Sequence, residues 1–255
     1  MRIRVAVLAC VFALPLGCAT QPNADDTAEM SAEEIYSLAN DALRDGNYAT
    51  AISFYQELES RFPYGQHAEQ SQIEIAFAHY KNNEPELGLA ATDRFIRLHP
   101  THPNVDYAYY LKGLISFSEE QQTVLDRISG SSDFSERDPQ TARDAFDAFR
   151  ELVTRFPNSR YADDARQRMA YLLNVLAKHD INVAQYYLRR GAFVAVVNRA
   201  KYVIENYQST RAVEDALGLM AMAYREMGML ELAEDTLRVL RINFPSSRYL
   251  QQFQS

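Results

Sequence analysis

The sequence has no tryptophan, and its 255 residues hold only two cysteines, nine glycines and nine prolines. Glycine-rich phosphate loops are absent: Ser129-Gly130-Ser131-Ser132 has one glycine and no following Lys-Ser or Lys-Thr. Basic residues are in deficit, 26 Lys and Arg against 34 Asp and Glu, for a formal charge of −8. An acidic chain argues against nucleic acid and anionic lipid surfaces as main partners. Catalytic constellations are missing too. His99-x-x-His102 pairs two imidazoles, but prolines flank the turn and no cysteine or carboxylate cluster completes a zinc shell, so it reads as a turn. His67, His79 and His179 stand isolated and read as helix-face residues. Glu119-Glu120 and Asp163-Asp164 are adjacent carboxylates, which point in different directions on a helix, unlike an acid–base pair flanking one bond. They read as solvated. The expectation is a chain with no enzyme activity, no metal and no cofactor.

What is present begins with a short basic segment, Met1-Arg2-Ile3-Arg4, and an apolar run of twelve residues from Val5 to Leu16. This is signal-peptide anatomy. As a helix the run rises about 18 Å, short of the ~30 Å hydrocarbon core, so it directs export rather than spanning a bilayer. It ends Leu14-Pro15-Leu16-Gly17-Cys18, which resembles the lipobox of bacterial lipoproteins, with Pro15 and Leu16 where that pattern prefers leucine and a small residue. The resemblance implies cleavage before Cys18 and a covalent lipid on its thiol. Because Ala19 rather than aspartate follows, it also implies delivery to the outer membrane. Lipid chains at ~0.8 kcal/mol per buried CH₂ suffice for stable anchoring. Cys10 would leave an apolar stretch of only five residues and is set aside; the alternative is a signal peptide cut further on, near Ala19. Cleavage before Cys18 leaves a single thiol, which cannot form an internal disulfide. It also removes Arg2 and Arg4, moving the formal charge from −8 to −10. The expected division is a signal peptide at 1–17, a lipidated polar tether at 18–31 and a folded part at 32–255.

From Ser31 onward the pattern is helical. Ser31-x-x-Glu34 is a capping box, and Ile35, Leu38, Ala39, Ala42 and Leu43 follow one face of a 3.6-residue period. Gly46-Asn47 stops that helix, and a second stripe from Tyr48 runs to Phe62-Pro63, making one hairpin. The hairpin recurs when its second helix is aligned on a closing residue: Pro63, Pro100, Pro157, Gln208 and Pro245. Twelve residues earlier stand Ala51, Gly88, Ala145, Val196 and Ala233; five earlier, Leu58, Phe95, Leu152, Val203 and Leu240. The residue just before the anchor is Phe62, His99, Phe156, Tyr207 or Phe244, and seventeen before come Gly46, Asn83, Gln140, Gly191 and Gly228, near the turn. A small residue lets helix backbones approach, a large one fills the gap to the next hairpin, and proline halts the helix.

This register is similar to the tetratricopeptide repeat, and the resemblance implies an all-α solenoid of about five hairpins, over approximately 32–65, 66–103, 104–158, 159–208 and 209–249. Anchor spacings of 37, 57, 51 and 37 exceed the usual 34-residue repeat. Part of the extra length falls between Phe117 and Asp138, read as a loop inside the third hairpin, with Asp138-Pro139 as N-cap and first residue of the next helix. The rest lengthens the first helix of the fourth hairpin, from about Ala162 towards Tyr187.

The repeats share a phrase at the anchor: Arg61-Phe62-Pro63-Tyr64-Gly65, Arg155-Phe156-Pro157-Asn158-Ser159-Arg160-Tyr161 and Asn243-Phe244-Pro245-Ser246-Ser247-Arg248-Tyr249. Together with Asp93-Arg94-Phe95-Ile96-Arg97-Leu98-His99-Pro100 and Arg190-Gly191-Ala192-Phe193-Val194-Ala195-Val196-Val197-Asn198-Arg199, it resembles the BamD family of β-barrel assembly lipoproteins over essentially the whole mature chain. Some members of that family carry tryptophan where Phe193 stands. The resemblance implies a periplasmic scaffold, lipid-anchored in the outer membrane, that binds the periplasmic domains of the machinery's barrel subunit, works beside its other lipoproteins and meets unfolded outer-membrane proteins. Two other classes remain open. One is a different repeat lipoprotein such as a secretin pilotin; the other is a cell-wall hydrolase on a helical superhelix, for which the sequence offers no separate catalytic module.

Candidate contacts follow from residues that the repeat register leaves without a packing role. Arg190, Asn198 and Arg199, with Arg189 beside them, form a basic turn and helix suited to bidentate binding of partner carboxylates. Tyr64, Tyr109 and Tyr110 are aromatics outside the packing register, and Arg94 and Arg97 lie on the second hairpin; these five are the candidate contacts for unfolded substrate.

Overall fold

The computed structural model describes residues 27–128 and 139–253, with side chains at 119–128 left aside; Cys18, most of the tether, Asp138, the side chains of Glu119-Glu120 and the stretch Ser129-Gly130-Ser131-Ser132 lie outside the described residues. The helices are α1 (Ala32–Arg44), α2 (Tyr48–Arg61), α3 (Gln66–Lys81), α4 (Pro85–Leu98), α5 (Val105–Ile128), α6 (Gln140–Arg155), α7 (Ala162–Arg189), α8 (Phe193–Asn206), α9 (Ala212–Glu226), α10 (Leu230–Asn243) and the short α11 (Arg248–Gln252). Each packs chiefly on its neighbours in sequence, and no strand occurs among the described residues. This is the tetratricopeptide type of fold.

One turn is built four times. Gly46, Asn83, Gly191 and Gly228 hold φ of +77°, +60°, +71° and +74°, the left-handed conformation that closes a helix. The next residue then donates its N–H to the carbonyl five positions back: Asn47 to Ala42 (2.8 Å), Glu84 to His79 (3.0 Å), Ala192 to Tyr187 (3.0 Å) and Met229 to Tyr224 (2.9 Å). That same residue is the N-cap of the second helix, so each of these bends needs only three residues between helices. Asn83 does the work of glycine here because asparagine tolerates the left-handed region better than other side chains. Gln140 departs from the register: it is the first residue of α6.

The second helices also end alike. Phe62, His99, Phe156, Tyr207 and Phe244 are the C-caps, each with its N–H on the carbonyl of Leu58, Phe95, Leu152, Val203 or Leu240. Their ψ angles are 67°, 57°, 62°, 42° and 67°, outside the helical region. A following proline clashes with a helical predecessor, and the one C-cap without a proline behind it, Tyr207, has the smallest ψ. At the crossing positions Ala51, Ala145, Val196 and Ala233 are buried, and Gly88 is so close to α5 that a Cβ would stand 3.0 Å from Ile115 Cδ1. Leu58, Phe95, Leu152, Val203 and Leu240 are fully buried, as the alignment predicts.

Two expectations are corrected. The polar residues after Phe117 continue as helix to Ile128, so α5 absorbs much of the insertion that was read as loop. Pro139 is the N-cap of α6 rather than its first residue, and the helix starts at Gln140. By contrast α7 runs unbroken for 28 residues, as the absence of a breaker predicts. The Ser31 capping box forms, with Glu34 N–H donating to Ser31 Oγ at 3.3 Å and Ser31 N–H to Glu34 Oε2 at 2.8 Å. The segment before it is held down: Arg61 on α2 donates to the carbonyls of Ala28 (3.0 Å) and Met30 (3.1 Å). No helix of the described residues is long and apolar enough to cross a membrane.

Candidate partner-binding surface

The bend between α7 and α8 carries the basic cluster. Arg190 caps α7, with its N–H shared between the carbonyls of Tyr186 (3.2 Å) and Tyr187 (3.1 Å), and Gly191 turns the chain. Arg189 and Arg190 are exposed, and the Arg190 guanidinium lies over the Tyr186 ring at 5.3 Å. On α8 the spacing of four places Val194, Asn198 and Tyr202 on one strip, and all three face solvent. The opposite side packs inward through Val196, Ala200 and Val203.

Arg199 behaves differently. Its Nη1 donates to Asp180 Oδ1 at 2.8 Å, and the Asp180 side chain is only 1% exposed. The reading that left Arg199 without a structural role is therefore corrected: it balances a carboxylate buried inside α7, and truncating it strands that charge. Asp180 Oδ2 accepts no hydrogen bond from the described residues. Nearby, burial pushes the Tyr207 phenol well above its ordinary range, and the Asp180 charge adds to the effect. Asp180 was missed in the sequence although a signal existed: Leu176, Asp180 and Ala184 follow at intervals of four on the buried face of α7.

The substrate candidates divide. Tyr64 is 91% exposed, in the bend between α2 and α3. Arg94 reaches back from α4 to Glu59 on α2 at 2.7 Å, while Arg97 is exposed. Tyr109 and Tyr110 are corrected, because both serve packing. Tyr109 is buried against Phe156 (5.7 Å between rings) and beneath the Arg155 guanidinium (5.4 Å). Tyr110 stacks on Tyr161 at 4.6 Å and donates to Asp164 Oδ2 at 2.7 Å. Arg168 Nε donates to the same oxygen at 2.6 Å. Burial works to raise the Asp164 carboxyl, yet the hydrogen bonds from Arg168 and Tyr110 outweigh it and hold the group below its usual range. Asp164 is thus a joint between α5 and α7 and not a merely solvated carboxylate.

The histidines are less isolated than their spacing suggests. His79 Nδ1 meets Glu84 Oε2 at 2.7 Å across the α3–α4 bend, and His67 lies 4.9 Å from the Tyr36 ring. His99 contacts Gln72 at 3.0 Å and His102 sits 3.7 Å from Glu69, each fastening the α4–α5 turn to α3. No group of three or more metal-ligating side chains is present among the described residues. An open groove of about 640 Å³ between α4, α5 and α6 is lined by ion pairs, including Lys112–Asp93 (2.6 Å), Arg150–Asp147 (2.9 Å) and Arg155–Glu151 (2.9 Å). The fourth lining acid, Asp144, accepts instead from Gln140 Nε2 at 2.7 Å.

Residues 28–240 match the family model YfiO, described as outer membrane lipoprotein. The outer membrane protein assembly factor BamD of Neisseria meningitidis serogroup B is 48% identical over 239 residues, which cover 92% of this chain and 89% of that protein. The BamD proteins of Xylella fastidiosa strain Temecula1 and Vibrio cholerae serotype O1 are 38% and 36% identical, over 97% and 91% of this chain and 84% and 95% of theirs. On a match that takes in helices α1 to α9 and most of α10, the chain belongs to the YfiO family of outer membrane lipoproteins, the family of the assembly factors named BamD.

Proposed function

We propose that this protein is a lipid-anchored scaffold on the periplasmic face of the outer membrane, where it binds the periplasmic domains of a barrel subunit and assists assembly of outer-membrane proteins. The observation that carries the reading is the near full-length relation to proteins named as assembly factors. The physical features agree with it. Cys18 is the lipid site, and Arg189, Arg190 and Asn198 present exposed polar groups on a rigid corner, with Arg199 half-exposed beside them. Arginine is suited to such a surface because its planar fork meets carboxylates bidentately. Tyr64 and Arg97, exposed on the first two hairpins, are the remaining contacts for unfolded substrate. The role requires no catalytic group, cofactor or metal.

The test is purification of the tagged full-length protein in mild detergent, with mass spectrometry of what accompanies it. A barrel-type outer-membrane subunit together with further lipoproteins is the expected company. Recovery of a secretin in its place would assign the chain to the pilotins and overturn the proposal.

A further inference from the structure

The segment that enters the first hairpin is fastened at one place. Thr27 is fully buried, and the Met30 N–H closes a turn onto the Thr27 carbonyl at 2.9 Å. The Arg61 guanidinium, at the end of α2, gathers three carbonyls of that turn: Nη1 donates to Thr27, and Nη2 to Ala28 (3.0 Å) and Met30 (3.1 Å). Its own helix holds it too, through Glu57 one turn back at 3.8 Å and the Phe62 ring at 5.2 Å. The chain therefore enters the fold at a fixed corner, where α2 stops and the bend to α3 begins. Cys18 stands nine positions before Thr27, and an extended chain covers at most about 3.6 Å per residue, so a lipid on Cys18 keeps this corner within about 32 Å of the bilayer surface. Tyr64 is three positions past Arg61, at most about 11 Å along the chain, and is 91% exposed. The opposite bend of the same hairpin, at Gly46, lies the length of α2 away, about 21 Å at 1.5 Å per residue.

We propose that this corner is a lipid contact: the Arg61 clamp turns the end of α2 towards the bilayer, and the Tyr64 ring rests in the headgroup interface when no substrate occupies it. A tyrosine suits that position, because its ring is apolar and its hydroxyl stays hydrated, the combination that places such side chains at membrane–water boundaries. The exposed charges on the entering segment, Glu29 and Glu33, are acidic, so the lipid that fits is a zwitterionic phospholipid and not an anionic one. The inference rests on the proposed Cys18 anchor and adds to it. A lipid on Cys18 limits a distance; the clamp and the ring supply an orientation.

The chain has no tryptophan, so Tyr64→Trp gives a single emitter that keeps an aromatic ring, and Glu226→Trp, at the exposed end of α9, gives the control. Each lipidated mature protein is reconstituted in phosphatidylcholine vesicles and floated, and its emission is recorded with plain and with brominated acyl chains. The expected result is a blue-shifted emission at position 64 that bromine quenches by roughly twofold or more, against no quenching at position 226. Adding Arg61→Ala to Tyr64→Trp should remove most of that quenching. Protein missing from the floated lipid overturns the anchor reading and the inference with it. Floated protein whose emission at 64 is unquenched, or quenched no more than at 226, overturns the inference alone. Quenching that survives Arg61→Ala with helical circular dichroism intact refutes the clamp and the proposal as stated. If Arg61→Ala fails to fold, Arg61→Gln, which keeps the stem and loses the charged fork, is held to the same outcomes.

Discussion

Replacing Gly218 by alanine sets two effects of known size against each other. Gly218 lies in the interior of α9, where alanine is favoured over glycine by about 1 kcal/mol. A Cβ there, however, would stand 2.3 Å from Cγ of Tyr249 and 2.5 Å from both Cδ atoms, well inside contact distance. The clash is at the root of the ring, which cannot swing aside: its hydroxyl donates to Asp215 Oδ1 at 2.9 Å, and Arg248 holds the same oxygen at 2.8 Å. Tyr249 is the buried centre of α11, and an aromatic side chain of roughly 150–250 Å² at ~25 cal/mol per Å² is worth up to about 4–6 kcal/mol of burial. Even half of that exceeds the helix gain. The expected outcome of Gly218→Ala is that α11 leaves its seat, with a net loss of about 2–4 kcal/mol local to that segment. Hydrogen exchange of a peptide spanning 248–252 reads it directly. A chain that keeps α11 protected and melts higher, as helix propensity alone demands, would refute the packing argument. Gly218→Ala combined with Tyr249→Leu should recover part of the loss, because the smaller side chain vacates the contact.

Ala51→Leu and Ala145→Leu insert bulk at fully buried crossings and should each cost roughly 1–3 kcal/mol, seen as a lowered thermal midpoint; an unchanged melt would show that those crossings have slack. Cys18→Ser should leave the precursor unprocessed and free of lipid, and fatty acid still attached to the variant would place the anchor elsewhere. Alkaline titration should reveal protected tyrosines, Tyr110 and Tyr249 among them: burial, with the Asp164 bond in one and the Asp215 bond in the other, pushes these two up to about 12 against an ordinary 10. Their folded pKa is raised, so the stability they contribute is complete below pH 10 and declines as the pH climbs from 10 towards 12. Absorbance at the phenolate band should therefore rise in step with loss of helical circular dichroism, and full ionisation before any unfolding would contradict the burial.

Legibility in the sequence followed the range of the interaction. The closing residue and the positions five and twelve before it are set by local chain geometry and by one helix crossing, and they recur at fixed spacing, so Leu58, Phe95, Leu152, Val203 and Leu240 all fall where the alignment puts them. In the run after Phe117 polarity alone does not distinguish loop from solvated helix. Glu, Gln and Leu are good helix formers, and α5 continues through them. Tyr109, Tyr110 and Arg199 were misread for another reason. Their partners, Phe156, Asp164 and Asp180, lie 19 to 54 residues away on other elements, and no periodicity within one helix encodes which side chain a neighbouring helix will present.

The recurring Ser-Arg-Tyr phrase shows how one local device serves two places in the solenoid. Ser159 Oγ accepts from the Tyr161 N–H at 3.2 Å as α7 begins, and Ser247 Oγ accepts from the Tyr249 N–H at 3.4 Å as α11 begins. In the first case the ring lies flat on Tyr110 and the serine also donates to Asp106 on α5. In the second the ring enters the space that Gly218 leaves on α9, and Asp215 takes the matching bonds. Both tyrosines thus seat the start of a following helix against the first helix of the hairpin before it. At 162 that helix continues for 28 residues and builds the next hairpin; at 248 it runs for five and covers the end of the α9–α10 core with Tyr249 and Leu250. A repeat stack buries its apolar faces only where another repeat follows, so its last hairpin needs a substitute. Because α11 is seated by the Tyr249 ring in the space that Gly218 leaves, with Leu250 beside it in the same core, the smallest possible side-chain addition at Gly218 is expected to act at that end of the α9–α10 hairpin and not along the whole stack.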